Sequence, residues 1–349
     1  KRIRLYKLIM VYIISILLIY LISVCLILFI RFNNSDSEKF NSITRQEALD
    51  RGMSIINYTW NYTRVDSSEG VILPYYLKGD GKYIGIPYCY GGQFSLDYSN
   101  VNGVSSFGEA VKSAYVPGNI NTSQGYVKNS AGMDCSGFVN SVFNIREKTS
   151  TTNMDKYFKE IDLNRIKSMD ILNSKGNHVY IYLGKVEDGG VMILESTSNG
   201  SKKYKDKTVV NYKTKEQFQK DIDSRGYKVM RYKGIKGSTV QDIFDRYEFN
   251  NEERYAKSID CNQWVNSRVD YLEDVDYYVI DLRQGDSYIN IDKLDSELTI
   301  SVKNNSDEEI KIDKEGKYKL NYKGKVYIKI FNIGSKIGKM EYKFNVLAK

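Results

Sequence analysis

The sequence predicts an α+β domain set between one transmembrane helix and a C-terminal all-β sandwich. Three observations carry this. Residues Leu8 to Ile30 form an apolar run of 23 residues without a charge. A helix-like segment opening at Cys135 is followed by three strand-like runs. From residue 242 onward, short alternating strands dominate.

The apolar run comes first. About 20 such residues suffice to cross the hydrocarbon core as a helix. The segment KRIRLYK before it carries four cations, and Arg31 alone stands just after it. That bias predicts a cytoplasmic tail at 1–7. The run exceeds the core of a cleaved signal, about 7–15 residues. It therefore reads as a signal anchor over 8–30, held in the cell membrane, with a polar tether at 31–41 and everything beyond it outside the cell. Cys25 lies in this run. The other cysteines, Cys89, Cys135 and Cys261, are odd in number and form no CxxC. They suggest neither a disulfide framework nor a thiolate metal site. The formal charge is +8, but no long Lys/Arg run exists. A nucleic-acid partner is not expected, whereas an anionic wall or membrane surface suits a basic protein.

The domain at 42–235 opens with apolar positions at helical spacing, Ala48, Met53, Ile56 and Trp60, behind Thr44 as a cap. A Gly-, Ser- and Asn-rich region runs to 131, with one short helix expected near Phe107 to Ala114. Phe138, Val139, Val142 and Phe143 then share one helical face. HVYIYLG at 178–184, VMILEST at 191–197 and YKVMRYKG at 227–234 read as strands, rich in β-branched and aromatic residues.

Cys135 is placed for chemistry. A thiol attacks as its thiolate, which the N–H groups and dipole of a helix N-terminus favour. It needs a base, and the chain has a single histidine, His178, opening the first of those strands. A base needs an orienting partner. Glu195 stands in the middle of the next, largely apolar strand, and adjacent strands would bring it beside His178.

These residues fall in segments that match a family. DCSGF at Asp134 to Phe138, the His178 strand with Val179, Ile181, Tyr182 and Gly184, and the polar Glu195 after it resemble the NlpC/p60 cell-wall cysteine peptidases. So does GIPYCYGG, with Gly85, Pro87, Tyr88, Gly91 and Gly92 in order. The resemblance covers 42–235 and implies a papain-like core. It implies thiolate hydrolysis of peptidoglycan stem peptides at a D-γ-glutamyl–diamino acid bond, with no cofactor required. Cys135 would be the nucleophile, His178 the base and Glu195 the orienter. Tyr88, Asp134 and Ser136 would bind substrate, Asp134 meeting a free amine, although Asp134 also suits a helix cap. Two features depart from the family: the long interval between residues 92 and 134, and a glutamate where a histidine often stands. An amidase or acyltransferase on the same core, or a non-catalytic wall-binding scaffold, remain alternative readings.

The last region, 242–349, carries DYYVIDL, SYINI, ELTISVK, KYKLNY, KVYIKIF and MEYKFNV between short turns. Such spacing predicts a sandwich. DRYEFNNEERYAKSID followed by DVDYYVIDLRQGD resembles bacterial pre-peptidase C-terminal domains. In collagen-binding relatives, acids at comparable places hold calcium. That resemblance offers Glu248, Asn250, Asp274 and Asp276 as oxygen ligands for a structural calcium, with Arg246 standing at one expected acid place. An ordinary strand-and-turn network is the alternative.

Overall fold

The computed structural model describes residues 10, 12, 14–26, 40–65, 69–199, 204–240, 243–283, 287–311, 318–320 and 322–348. The described residues 10, 12 and 14–26 are helical and belong to the first helix, α1. Among the described residues, no helix is long and apolar enough to cross a membrane. The expected single-pass anchor at 8–30, and with it the assignment to the cell membrane, is therefore corrected. The expected tail at 1–7, both ends of the expected span and tether residues 31–39 lie outside the described residues.

The next elements in order are β1 (Ile43–Thr44), α2 (Arg45–Ile56), β2 (Thr59–Tyr62), β3 (Gly81–Ile84), α3 (Phe107–Lys112), β4 (Val116–Pro117), β5 (Ser130–Ala131) and α4 (Cys135–Val142). Then come β6 (Phe158–Glu160), β7 (Ile171–Ser174), β8 (His178–Lys185), β9 (Val191–Thr197), β10 (Lys207–Lys213), α5 (Lys215–Asp223), β11 (Tyr227–Tyr232) and β12 (Ile235–Lys236). Helix α2 starts at a capping box, in which Thr44 and Glu47 satisfy each other's backbone N–H. It stops at Ile56, so Trp60 sits on β2 and not on the expected helix.

The expected papain-like α+β class is corrected as well. Strands take 36% of the molecule and helices 19%, so sheet dominates the architecture. The reason lies between Asn57 and Asp134, where the chain is rich in turn formers. Among the described residues there, only the six-residue α3 is helical, and short strand pairs and isolated bridges join the chain elsewhere.

A six-stranded sheet of order β10-β9-β8-β7-β11-β6 centres this half of the molecule. Strands β8 and β9 are buried on both faces, which explains their unbroken apolar runs. Val179, Ile181, Leu183, Met192 and Leu194 cluster with Phe138, Val139 and Val142 of α4. The alternate residues Tyr180, Tyr182, Val191 and Ile193 cluster with Phe218 of α5. Phe138 is fully buried, and its truncation to Ala would cost about 3–5 kcal/mol.

The remaining strands are β13 (Lys257–Ser258), β14 (Val265–Val269), β15 (Val275–Leu282), β16 (Ser287–Leu294), β17 (Leu298–Asn304), β18 (Tyr318–Leu320), β19 (Gly324–Asn332) and β20 (Met340–Ala348). They form two four-stranded sheets, β13-β15-β19-β17 and β14-β20-β16-β18. Burial alternates residue by residue along β15 and β17, as in a sheet with one face in a core. Inward residues such as Tyr278, Ile300, Ile328, Phe344 and Val346 fill the space between the sheets. The expected sandwich is present, with β13 and β14 added to the anticipated strands.

Candidate active site

Helix α4 begins at Cys135 because Asp134 caps it: the Asp134 side chain accepts from Gly137 N at 2.6 Å. Two glycines let this turn seat closely. A Cβ on Gly132 (φ +153°) would lie 2.3 Å from the Pro87 carbonyl oxygen, and one on Gly137 would lie 2.3 Å from that of Gly92. The DCSGF and GIPYCYGG segments thus meet backbone to backbone. Cys135 occupies the first helical position, where the N–H has no intrahelical acceptor.

His178 and Glu195 meet as expected. His178 Nε2 lies 2.7 Å from Glu195 Oε2. Nδ1 is left for a second partner, and Cys135 is close enough to act on the charge of the ring. Burial pulls the imidazole pKa down, but the negative charge of Cys135, its hydrogen bond and the Glu195 carboxylate outweigh burial, raising it to about 10. Burial pushes the Glu195 carboxyl up. The hydrogen bond and charge of His178, then Lys213 and Asn211, outweigh that and hold it below its ordinary value.

The other sequence-expected residues lie close by, in different roles. Tyr88 is buried, and its phenol is pushed well up, first by burial and then by the charges of Cys135 and Asp134. It therefore stays a neutral donor. Asp134 and Ser136 are turned inward. Ser136 Oγ donates to Asp134 Oδ1 at 2.8 Å, and Gly91 N donates to Oδ2 at 3.0 Å. Lys148 Nζ stands 2.7 Å from Oδ1, so an ammonium of the chain itself takes the place expected for a substrate amine.

Sequence reasoning missed Lys148, and it missed Asn211 on β10. Val209 pairs with Glu195 across the strands, and Asn211 is two residues along on the same face. Asn211 Nδ2 donates to Glu195 Oε1 at 2.7 Å, and its Oδ1 accepts from Tyr212 N at 2.8 Å. The available signal was KTVVNYK, a β-rich stretch with one amide among its apolar residues. A cavity of about 400 Å³ opens on the His178–Glu195 side, and its lining includes Phe249 and Tyr255 from the lead-in to the sandwich. Cys89 is buried, donates or accepts with Ser130 Oγ at 3.3 Å, and has its thiol pushed up to about 12 by burial, which leaves it inert.

A second cluster lies in that lead-in. Oxygens of Glu248, Asp274 and Asp276 lie within 4.8 Å of one another, and all three residues are buried. Both Glu248 oxygens, Asp276 Oδ1 and Asn250 Oδ1 have no hydrogen-bond partner. Burial, then the neighbouring carboxylates, pushes the Glu248 and Asp276 carboxyls well up. Oxygens on opposite sides of one calcium ion stand at most about 5 Å apart, so this donor set fits a hard divalent cation.

No family model matches the chain, so the expected NlpC/p60 membership is corrected to a resemblance of short segments. No curated protein matches either. Among solved structures, the chain is similar to the periplasmic inhibitor of g-type lysozyme, PliG, from Salmonella Typhimurium. That match has 16% identity over 27% of this chain and 98% of the other, with TM-score 0.23. The PliG of Aeromonas hydrophila matches at 14% identity over 27% and 96%, with TM-score 0.23. The pre-peptidase C-terminal domain of a Bacillus anthracis collagenase matches at 16% identity over 26% and 93%, with TM-score 0.21.

Proposed function

We propose that this protein is a cysteine-dependent hydrolase of peptide-type amide bonds. The observation that supports it most is that the only imidazole in the chain is held between Cys135 and Glu195. An imidazole raised to about 10 is an imidazolium at neutral pH, and attack requires the sulfur as its thiolate. The sulfur attacks the carbonyl carbon and forms a C–S bond. The oxyanion receives the Cys135 N–H and the Tyr88 hydroxyl. His178 then gives its proton to the leaving amine nitrogen as the C–N bond breaks. Water attacks the thioester, His178 takes up the water's proton, and the acid product departs as the C–S bond breaks. Glu195, fixed by Asn211, holds the ring in one orientation throughout.

The DCSGF, HVYIYLG and GIPYCYGG segments, which resemble those of cell-wall cysteine peptidases, support a peptidoglycan stem peptide as substrate, cut between D-γ-glutamyl and a diamino acid. Incubating the full chain with purified peptidoglycan should release stem fragments visible by mass spectrometry. Cys135→Ala should lower that release by at least about a thousandfold. If no amide bond opens, or an acyl group passes to an acceptor amine in place of water, the hydrolase reading is wrong.

A further inference from the structure

The cap of the nucleophile helix has more donors than a cap needs. Asp134 Oδ1 accepts from Gly137 N at 2.6 Å, from Ser136 Oγ at 2.8 Å and from Lys148 Nζ at 2.7 Å, and Oδ2 accepts from Gly91 N at 3.0 Å. A carboxylate offers about four lone-pair sites, so this one is fully used inside the protein. Lys148 is equally committed: its other acceptors are Ser136 Oγ at 3.2 Å and the Gly92 carbonyl at 3.4 Å. The segment that carries it is pinned on both sides. Gln93 Nε2 donates to the Ile145 carbonyl at 2.8 Å, Asn140 Nδ2 to Gln93 Oε1 at 3.0 Å, and Thr149 Oγ1 to Asn140 Oδ1 at 2.7 Å. Gln93, Asn140 and Thr149 are all buried. The lysine stem therefore hangs between two anchored positions, which deliver its ammonium to one place.

We propose that Lys148 is a specificity-determining residue: by supplying Asp134 with an ammonium from the chain itself, it restricts the substrate to peptides whose amino end is acylated. Asp134 directly precedes Cys135, and the side chains of Lys148 and Asp134 keep 25% and 11% of their surface exposed, so an arriving peptide can meet the pair. A free peptide amine is mostly protonated at neutral pH. To reach the Asp134 carboxylate it would have to displace a tethered ammonium or sit against it as a like charge. An acylated nitrogen is neutral and meets neither obstacle. A stem peptide still joined to its glycan strand has an acylated amino end, whereas a released one has a free amine. The inference rests on the reading of Cys135 as the nucleophile of a peptide hydrolase.

The full chain is assayed on a synthetic stem tripeptide containing the D-γ-glutamyl–diamino acid bond, with its amino end either free or acetylated. Wild type should cut the acetylated form with a kcat/KM at least about tenfold higher. Lys148→Met keeps an apolar stem and removes the charge, and it should level or invert that ratio, chiefly through the KM of the free form. Lys148→Gln, which retains a donor without the charge, should do the same. A wild type that cuts both forms with kcat/KM within about threefold overturns the inference, whatever the variants do. So does a tenfold preference that survives, at about its full size, in both variants. Calorimetric binding of the two peptides to Cys135→Ala separates the two readings. Acetylated peptide bound about tenfold tighter, with no cleavage by wild type, removes the hydrolase and leaves the selection by Lys148 standing. Equal affinity for the two forms, or peptides neither bound nor cut, overturns that selection.

Discussion

Glu195 and Glu248 are both buried glutamates, one in each half of the molecule, and their carboxyls are displaced in opposite directions. Glu195 has a histidine at 2.7 Å, an amide donor at 2.7 Å and a lysine in range, so its charge is answered inside the protein. Glu248 has no hydrogen-bond partner, and its neighbours Asp274 and Asp276 add charge of the same sign. Burial costs both residues alike, and partners decide the outcome. The first arrangement is complete and suited to proton transfer. The second leaves both oxygens of a buried carboxyl without a hydrogen-bond partner.

Removing the base gives the largest expected effect on that contrast. His178→Ala should lower amide cleavage by at least about a thousandfold, since no other imidazole exists to replace it. A rate within tenfold of wild type would mean that the answered charge of Glu195 has no catalytic use.

Next comes the orienter. Because the folded pKa of His178 is raised, the stabilisation from its charged form is fully present below the ordinary value of 6.5 and is lost as pH rises through about 10. The alkaline limb of Cys135 alkylation should therefore fall near pH 10. Glu195→Gln removes one cause of the raise, so the limb should move to lower pH and cleavage should drop by about a hundredfold. An unmoved limb would show that Cys135 alone sustains the imidazolium. The Glu195 carboxyl is lowered, so its own contribution is present above the ordinary 4.5 and vanishes as pH falls through the folded value.

The smallest effect sharpens the other side. In cation-free buffer, Glu248→Gln replaces a buried carboxyl crowded by Asp274 and Asp276 and should raise the melting temperature by a few degrees, about 1–2 kcal/mol. In calcium the order should reverse, with wild type the more stable. Calorimetry on both proteins decides it, and a variant less stable in both buffers would show that Glu248 is an ordinary structural carboxylate.

The grouping of Cys135, His178 and Glu195 was legible in the sequence to the extent that chemistry limits the choices. One histidine, one cysteine before an apolar helix, and one acid within a hydrophobic strand leave few combinations. Asn211, Lys148 and the Phe249–Tyr212 stack were not legible, because each depends on which strands or domains become neighbours. The anticipated strands at 178–184, 191–197 and 227–234 correspond to β8, β9 and β11, whereas the buried β7 and the partly buried β10 were not anticipated. Helix was over-anticipated at two places. Trp60 fits a helical spacing but is drawn into a strand by pairing with Tyr83. At 8–30 no helix among the described residues is long and apolar enough to cross a membrane.

Gly132 and Gly137 each give up their entire side-chain volume so that two stretches of main chain can touch. Nothing smaller than hydrogen remains to be substituted there, so evolution has no room to fine-tune the aim of the sulfur from its own turn. Any adjustment of reach or preference has to be made on the opposite banks of the cleft, in the long interval after Gly92 or in the loop that leads into the sandwich. Divergence in such a molecule would accumulate on those banks while the turn itself stood still.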